Sequence, residues 1–507
     1  MPMRRRQTDM IHQILVLGSG SAGLISALTL KRKIPQLHVR VVRDPEIGII
    51  GVGEGTTPNF PDLLFNQLGI PRKTFYALAQ PTWKLGIRFK WGSRGSFDYT
   101  FAPQLDAWWG DLGRPNGFYC RDEFHAADLP SALMEADMAF PRQDNGCPDV
   151  QPWHAFHIEN EHFVSMLETI TLDAGIEIID GSVEGAERGD AGVKSVHLKD
   201  GRKLEADFFI DCSGFRSELL GKTLEAPFES FDKTLFCDRA VVGGWARTTE
   251  PIHAYTTAEQ MTTGWCWQIE HEHRINRGYV YCSAMISDED AEREFRGKNP
   301  KVATTRIVPF RSGCYRKTWV DNVVAIGNSA GFVEPLEATA LMVVSLHIQS
   351  LVDVLKACAL DPNPSVADVY NDLTYPTWLG IRDFLGLHYK PNTALETPFW
   401  KRCREETDLS SIQDLLDFYA ENGPTGLCRY RMPKSHTESD FGIEGYLVML
   451  VGMQVPYRKN FDPSPDQWAA WKRHQQEHKA KAKSGISVKE ALAYVRHPGW
   501  RWHGDPA

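Results

Sequence analysis

The chain has 507 residues, 42% hydrophobic and 24% charged, ample for a large core in two or three domains or one large composite one. Its net charge of −9 argues against a basic, nucleic-acid-binding surface. None of the ten cysteines stands in a CxxC or a paired-histidine zinc spacing. No signal-type apolar region follows Arg4, Arg5 and Arg6, and no run approaches ~20 uninterrupted apolar residues, so the expectation is a reduced, metal-free, cytoplasmic protein with no membrane span.

Residues 1–9 read as a flexible tail. Gln13-Ile14-Leu15-Val16-Leu17 is expected to be a buried parallel strand. It runs into Gly18-Ser19-Gly20-Ser21-Ala22-Gly23 and an apolar helix over 24–30. In that context GxGxxG marks dinucleotide binding. Gly18 allows the tight turn, Gly20 admits a pyrophosphate, and Gly23 lets helix and strand pack closely, with Ser21 and Ala22 completing the cofactor loop and the phosphates at the helix N-terminus. A second strand over 38–42 is followed by Arg43 and Asp44. Asp44 is the candidate for the adenosine ribose, one residue late, and Arg43 contacts a phosphate or sits on the surface.

Residues 49–58 form a second glycine-rich loop, with Gly51, Gly53, Glu54, Gly55 and Thr56 crowding backbone amides toward a ligand; the plainer reading is a tight turn with Pro58 starting a helix. Lys84 lies between Trp83 and Leu85 and reads as a lysine on a semi-buried strand. Residues 206–211 form a buried strand ending in the small-residue turn Cys212-Ser213-Gly214. Residues 322–326 form a third such unit ending at Gly327-Asn328, where a Gly-Asp pair usually binds a ribityl chain. Three units in this order indicate FAD. Between them, residues 226–300 alternate as in an antiparallel substrate-side sheet. Trp265 and Trp267 fall in that stretch, as does Glu270-His271-Glu272-His273; strand alternation puts His271 and His273 on one face with no third ligand for a metal, and the run reads as a solvated or hydrogen-bonded strand end.

Glu337 stands among Val333, Pro335, Leu336, Ala338, Ala340 and Leu341, where an unpaired carboxylate is costly. It is either a reacting carboxylate or one paired with an arginine to join two segments. A helix is expected over 341–352. From about residue 350 the pattern is mostly helical, with breaks at Pro362, Pro376, Pro391 and Pro398, and residues 462–490 read as an exposed helix or a partly mobile tail.

Together these segments resemble the flavin-dependent tryptophan halogenases. The resemblance rests on residues 18–23, Gly51-Val52-Gly53-Glu54-Gly55-Thr56, Lys84-Leu85-Gly86-Ile87-Arg88-Phe89, residues 211–216, Gly264-Trp265-Cys266-Trp267-Gln268-Ile269 and Phe332-Val333-Glu334-Pro335-Leu336-Glu337-Ala338-Thr339. It implies an α/β fold: an FAD-binding, glutathione-reductase-type Rossmann domain over 10–355 with the sheet of 226–300 inserted, and a helical C-terminal subdomain over 356–507 covering the substrate site.

The resemblance also implies FADH2 supplied by a separate flavin reductase, and hypohalous acid made from it with dioxygen and chloride or bromide. The acid would travel through a tunnel to Lys84, which either hydrogen-bonds it or forms a haloamine. Glu337 would hold the leaving group or take the arenium proton. Trp265 and Trp267 would keep the arene from the flavin, and the amides of Thr339 and Ala340 would bind halide. The family usually has proline where Glu270 stands and glycine where Ala340 stands. Glu444 or Tyr446 are the candidates for holding a tryptophan's polar groups; free indole or another electron-rich arene is an equal candidate. The chain is expected to be a monomer or homodimer. Two rival readings are an FAD monooxygenase that uses its own NAD(P)H and a catalytically silent flavin-binding relative.

Overall fold

The apolar run Gln13–Leu17 is central to a six-stranded sheet. It lies parallel between His38–Arg43 and Phe208–Asp211, with Ile14 opposite Val39 and Phe208, and Val16 opposite Val41 and Ile210. Glu177–Asp180 and Val323–Ala325 extend the sheet in parallel, and Trp319–Val320 closes one edge as an antiparallel partner. A strand covered on both faces needs a continuous apolar run, and Ile14, Leu15 and Val16 are fully buried. The Ser21–Lys33 helix covers the sheet and packs against Asn160–Asp173 and Ala340–Ala357. This computed structural model describes residues 10–48, 53–107, 109–434 and 441–502. Gly51 lies outside the described residues.

The Ala340–Ala357 helix is longer than the expected 341–352. By length and composition it could cross a membrane, but 61% of it is buried inside the protein, where it packs against Pro364–Tyr389 as well as Ser21–Lys33.

The substrate-side sheet has seven strands, in the order Thr305–Pro309, Arg239–Ala246, Arg274–Tyr281, Gly264–Glu270, Thr256–Met261, Gly86–Lys90 and Phe97–Thr100. The expected limits of 226–300 are therefore too narrow. Gly86–Lys90 joins the edge of Thr256–Met261 in parallel, and a parallel pair needs a long crossover that leaves no local sequence sign. Gly264–Glu270 is an inner strand. Trp265, Trp267 and Ile269 face the main core, while Cys266 faces the opposite side with Met261, Tyr279 and Phe295. All ten cysteines are free, and Cys120, Cys237, Cys266, Cys282, Cys314, Cys403 and Cys428 are buried.

A small third sheet positions the site. Ala155–Ile158 is its middle strand, with Glu54–Gly55 on one edge and Thr82–Lys84 on the other. The C-terminal helices add Phe384, Tyr446 and Trp471 to the cluster that holds Leu15 and Trp265. The change of pattern near residue 355 is thus no break in the core. Nor is 462–490 a mobile tail. Its helix, Pro465–Lys483, begins in a capping box between Ser464 and Gln467, buries Trp471 and packs on Leu129–Glu135.

Candidate active site

The first glycine turn has the shape of a phosphate cradle. A Cβ on Gly23 would lie 1.8 Å from the Gly18 carbonyl oxygen, and one on Gly18 would lie 2.4 Å from that of Cys212, so the inner side is closed. At Gly20 nothing comes within 4 Å, so the outer side is open. Gly20 is the N-cap of Ser21–Lys33 and no side chain caps it, which leaves first-turn N–H groups for an anion. A Cβ on Gly327 would lie 2.8 Å from that of Ala22, so the third strand-loop unit meets the first here. These residues fit a dinucleotide.

At the next strand end the Asp44 carboxylate accepts from the Ser182 hydroxyl at 2.8 Å and the Glu46 amide at 3.0 Å. Arg43 binds Asp180 through two nitrogens, at 2.6 and 3.1 Å, and Glu168 at 3.3 Å. Its guanidinium ties the sheet edge to the Asn160–Asp173 helix and stays partly exposed, closer to the surface position than to the phosphate contact of the two readings above. Beyond the undescribed loop residues, Glu54 accepts from the Asn160 amide at 3.1 Å, and desolvation pushes its carboxyl up to about 7.

In the small sheet Lys84 pairs with Ala155, while Gly55 on the other edge pairs with His157. Lys84 is fully buried rather than half-buried as its neighbours suggested. Its Nζ donates to the Thr56 carbonyl at 3.1 Å and lies 5.3 Å from the centre of the Phe101 ring. Burial pulls the amine down to about 8, and the Glu337 charge opposes that pull. A Cβ on Gly55 would lie 3.4 Å from the Lys84 Nζ and 3.2 Å from the Cβ of Ala338. The glycine-rich loop, the lysine and the turn after Glu337 therefore meet at one residue without a side chain.

Glu337 ends the short turn Pro335–Glu337 and is 4% exposed. Its Oε1 lies 2.7 Å from Nε2 of His388, and the His388 Nδ1 lies 2.8 Å from the Phe384 carbonyl. Its partner is thus a histidine, not the arginine considered above. A carbonyl only accepts, so Nδ1 carries a hydrogen. The Nε2–carboxylate contact then needs a further proton between its two atoms. Ala338 turns the chain with a φ of +57°, and the Ala340–Ala357 helix starts two residues on. The Thr339 side chain does not cap it, so the Thr339–Ala340 turn keeps helix N-terminal amides that fit an anion.

Trp265 and Trp267 lie side by side with ring centres 5.9 Å apart. They are held differently. The Trp265 indole N–H donates to Glu334 Oε2 at 2.6 Å, whereas that of Trp267 is buried with no hydrogen-bond partner among the described residues. Trp267 is held by space: its ring lies across Gly278, where a Cβ would come within 2.0 Å of it. Gly278→Ala is expected to displace that ring and cost about 1–3 kcal/mol. Chemical denaturation with tryptophan fluorescence would read this, and an unchanged midpoint and spectrum would show the ring to be unconstrained.

The strand end after Ile269 is hydrogen-bonded, but His271 and His273 do not share a strand face. Glu270 is buried and pairs with Arg247, whose Nε also donates to the His271 carbonyl at 3.0 Å. Residues 271–273 are the turn into Arg274–Tyr281, so strand alternation does not apply to His271 and His273. No metal-binding group of three or more such side chains occurs among the described residues.

Glu444 does not offer a free carboxylate. It accepts the backbone N–H groups of Gln104, Leu105 and Asp106 at 2.6, 2.7 and 3.0 Å. It thereby fixes the loop that carries Phe101 to Lys84. Tyr446 is fully buried against Phe384. Neither matches the assignment as a holder of polar substrate groups. Sequence reasoning missed His388, Tyr389, Phe101 and the Thr56 carbonyl. The only advance signal was His388 itself, a lone histidine in the apolar stretch Phe384-Leu385-Gly386-Leu387.

A family model described as tryptophan halogenase matches residues 13–464. Tryptophan 7-halogenase KtzQ of Kutzneria sp. (strain 744) is 31% identical over 448 residues, covering 82% of this chain and 83% of the relative. Tryptophan 7-halogenase RebH of Lentzea aerocolonigenes is 28% identical over 446 residues, covering 81% and 82%. Among solved structures, MibH, described as a lathipeptide tryptophan 5-halogenase, superposes with a TM-score of 0.88 at 36% identity, covering 97% of this chain and 95% of that one.

Proposed function

The chain belongs to the tryptophan halogenase family, and on that footing we propose that it is a two-component enzyme delivering hypohalous acid to an indole-type arene at Lys84. The observation that carries the proposal is the fully buried lysine, with its amine lowered to about 8, facing a buried glutamate. A strand lysine with no chemical task gains nothing from such a place.

The residues that would hold FAD are Gly18, Gly20, Ser21, Ala22, Gly23, Asp44 and Gly327, with Gly53, Glu54, Gly55 and Thr56 of the second loop, in a domain of glutathione-reductase type. When bound and reduced, by a separate reductase, the flavin supplies hypohalous acid from dioxygen and halide. The amides at Thr339 and Ala340 would hold the chloride or bromide.

Below pH about 8 most Lys84 amines are charged. The ammonium, steadied by the Thr56 carbonyl and the Phe101 ring, donates to the oxidant's oxygen and leaves the halogen facing the arene. As the arene carbon bonds the halogen, the halogen–oxygen bond breaks and the departing hydroxide takes the Lys84 proton as water. The arenium then loses its proton toward the Glu337–His388 pair, and proton return to Lys84 completes the cycle. Trp265 and Trp267 keep the arene at Lys84 and away from the flavin.

The commitment of Glu444 to loop amides favours a substrate held by its indole alone, either free indole or a tryptophan within a peptide. The description of MibH favours the peptide. The test is mass spectrometry of indole, tryptophan and a tryptophan-containing peptide after incubation with FAD, NADH, an unrelated flavin reductase and chloride or bromide. A halogen isotope pattern on the product is expected, greater on indole or peptide than on free tryptophan. Gain of oxygen without halogen would make the chain a hydroxylase. Rapid NADH oxidation without the added reductase would end the two-component reading.

A further inference from the structure

Glu334, three residues before Glu337, has no part in the chemistry just described, yet it is fully buried. Its Oε2 accepts both the Trp265 indole N–H, at 2.6 Å, and the Tyr389 hydroxyl. Its Oε1 has no hydrogen-bond partner among the described residues. Burial pushes the carboxyl up to about 7 against those two donors, so this is an expensive way to satisfy one indole.

What a carboxylate adds over a neutral acceptor is charge, which strengthens both of the bonds made at one atom. Here those bonds join the inner strand Gly264–Glu270 to the end of the helix Pro364–Tyr389. The neighbouring residue on that helix, His388, holds Glu337. Two carboxylates on Glu334-Pro335-Leu336-Glu337 are thus gripped by two consecutive residues. One grip reaches the tryptophan wall and the other the reacting site. Trp267 has no such anchor among the described residues and relies on the space above Gly278.

We propose that Glu334 is a positioning residue: it fixes the Trp265 ring relative to Glu337, so that oxidant made on one side of the wall is spent on the arene at the other. The proposal rests on the halogenase reading. It predicts that losing the anchor leaves oxidant formation intact and lowers the fraction captured by the arene.

The test uses the full chain with FAD, an added reductase and bromide. Arene product is measured beside hypohalous acid escaping to a soluble β-diketone trap. Glu334→Gln is expected to bind FAD and consume reduced flavin at the unaltered rate. Its ratio of arene product to trapped halogen should fall about tenfold or more, the scale on which misplacement costs rate. Tyr389→Phe, which leaves Trp265 its acceptor, should fall less, and it carries the test if Glu334→Gln does not fold. If Glu334 acts through Trp265, adding Glu334→Gln to Trp265→Phe should change the ratio no further.

An independent reading comes from 15N-labelled tryptophan. The Trp265 indole N–H, identified by its loss in Trp265→Phe, should resonate downfield in the unaltered protein and move upfield in Glu334→Gln. An unchanged resonance, or an unchanged product ratio, overturns the proposal. Should the unaltered protein halogenate no arene, the functional reading fails, while the resonance still tests the anchor.

Discussion

Replacing Lys84 by Met is expected to abolish halogenation, a loss of at least about a hundredfold to a thousandfold by comparison with removal of a preorganised donor. FAD binding should change little, because the side chain does not reach the first glycine turn and its one hydrogen bond to the second loop is to the Thr56 carbonyl, so the Met variant leaves every residue of both loops in place. The same change should not harm the fold. With the amine at about 8 against its ordinary 10.5, the folded state binds fewer protons than the unfolded one between those values. Stability therefore rises with pH across that window, and the whole penalty, about 3 kcal/mol, is present below it. Met fills similar space without that penalty, so the variant should melt at or above the parent temperature at pH 7 and lose the rise between pH 8 and 10.5. Turnover of the parent should fall as pH climbs through about 8 and the donor is lost. Rising turnover there would favour the haloamine route, and retained halogenation in the Met variant would remove Lys84 from the mechanism.

Glu337→Gln is expected to lower kcat about a hundredfold, the usual worth of a placed proton acceptor, with the arene KM within about threefold. The reason lies in the proton between Glu337 and His388. An amide keeps the size of the side chain but cannot pass that proton on. Because Gln is isosteric and the site nearly closed, the melting temperature should move little. A loss carried wholly by KM would mean that Glu337 shapes the pocket rather than the reaction. Steady-state kinetics with a fixed supply of reduced flavin separates the two.

Lys84, Glu337 and the two tryptophans were singled out by the resemblance, since each taken alone has a plain structural reading. The glycine turn at 18–23 was legible by itself, because strand, GxGxxG and helix in that order have a chemical logic of their own. The partners of Glu337 and Glu334 were not. His388 lies 51 residues from Glu337, and Tyr389 lies 55 from Glu334. A hydrogen bond across such a distance imposes no periodicity on either segment. The same blindness hid Gly86–Lys90 from the substrate-side sheet, since its parallel partner comes some 170 residues later in the chain. Glu444 misled in the other direction. It was a candidate by its region in the chain alone, and three backbone N–H groups of a distant loop had first claim on it. His271 and His273 misled because alternation was carried one turn too far, past the strand end at Glu270.

The buried cysteines bear on how long such a catalyst survives. Hypohalous acid oxidises thiols, and the thiolate is the form it attacks fastest. Cys266 sits between the two wall tryptophans in sequence, and the Cys237 thiol lies 3.9 Å from the Tyr389 hydroxyl. Desolvation raises the thiols of Cys120, Cys237, Cys266 and Cys403 above their ordinary range, so almost none is ionised at neutral pH. Cys266 also points to the far face of its strand. On the proposed function, unpaired cysteines kept neutral in the interior are expected to react slowly with the oxidant that the protein releases.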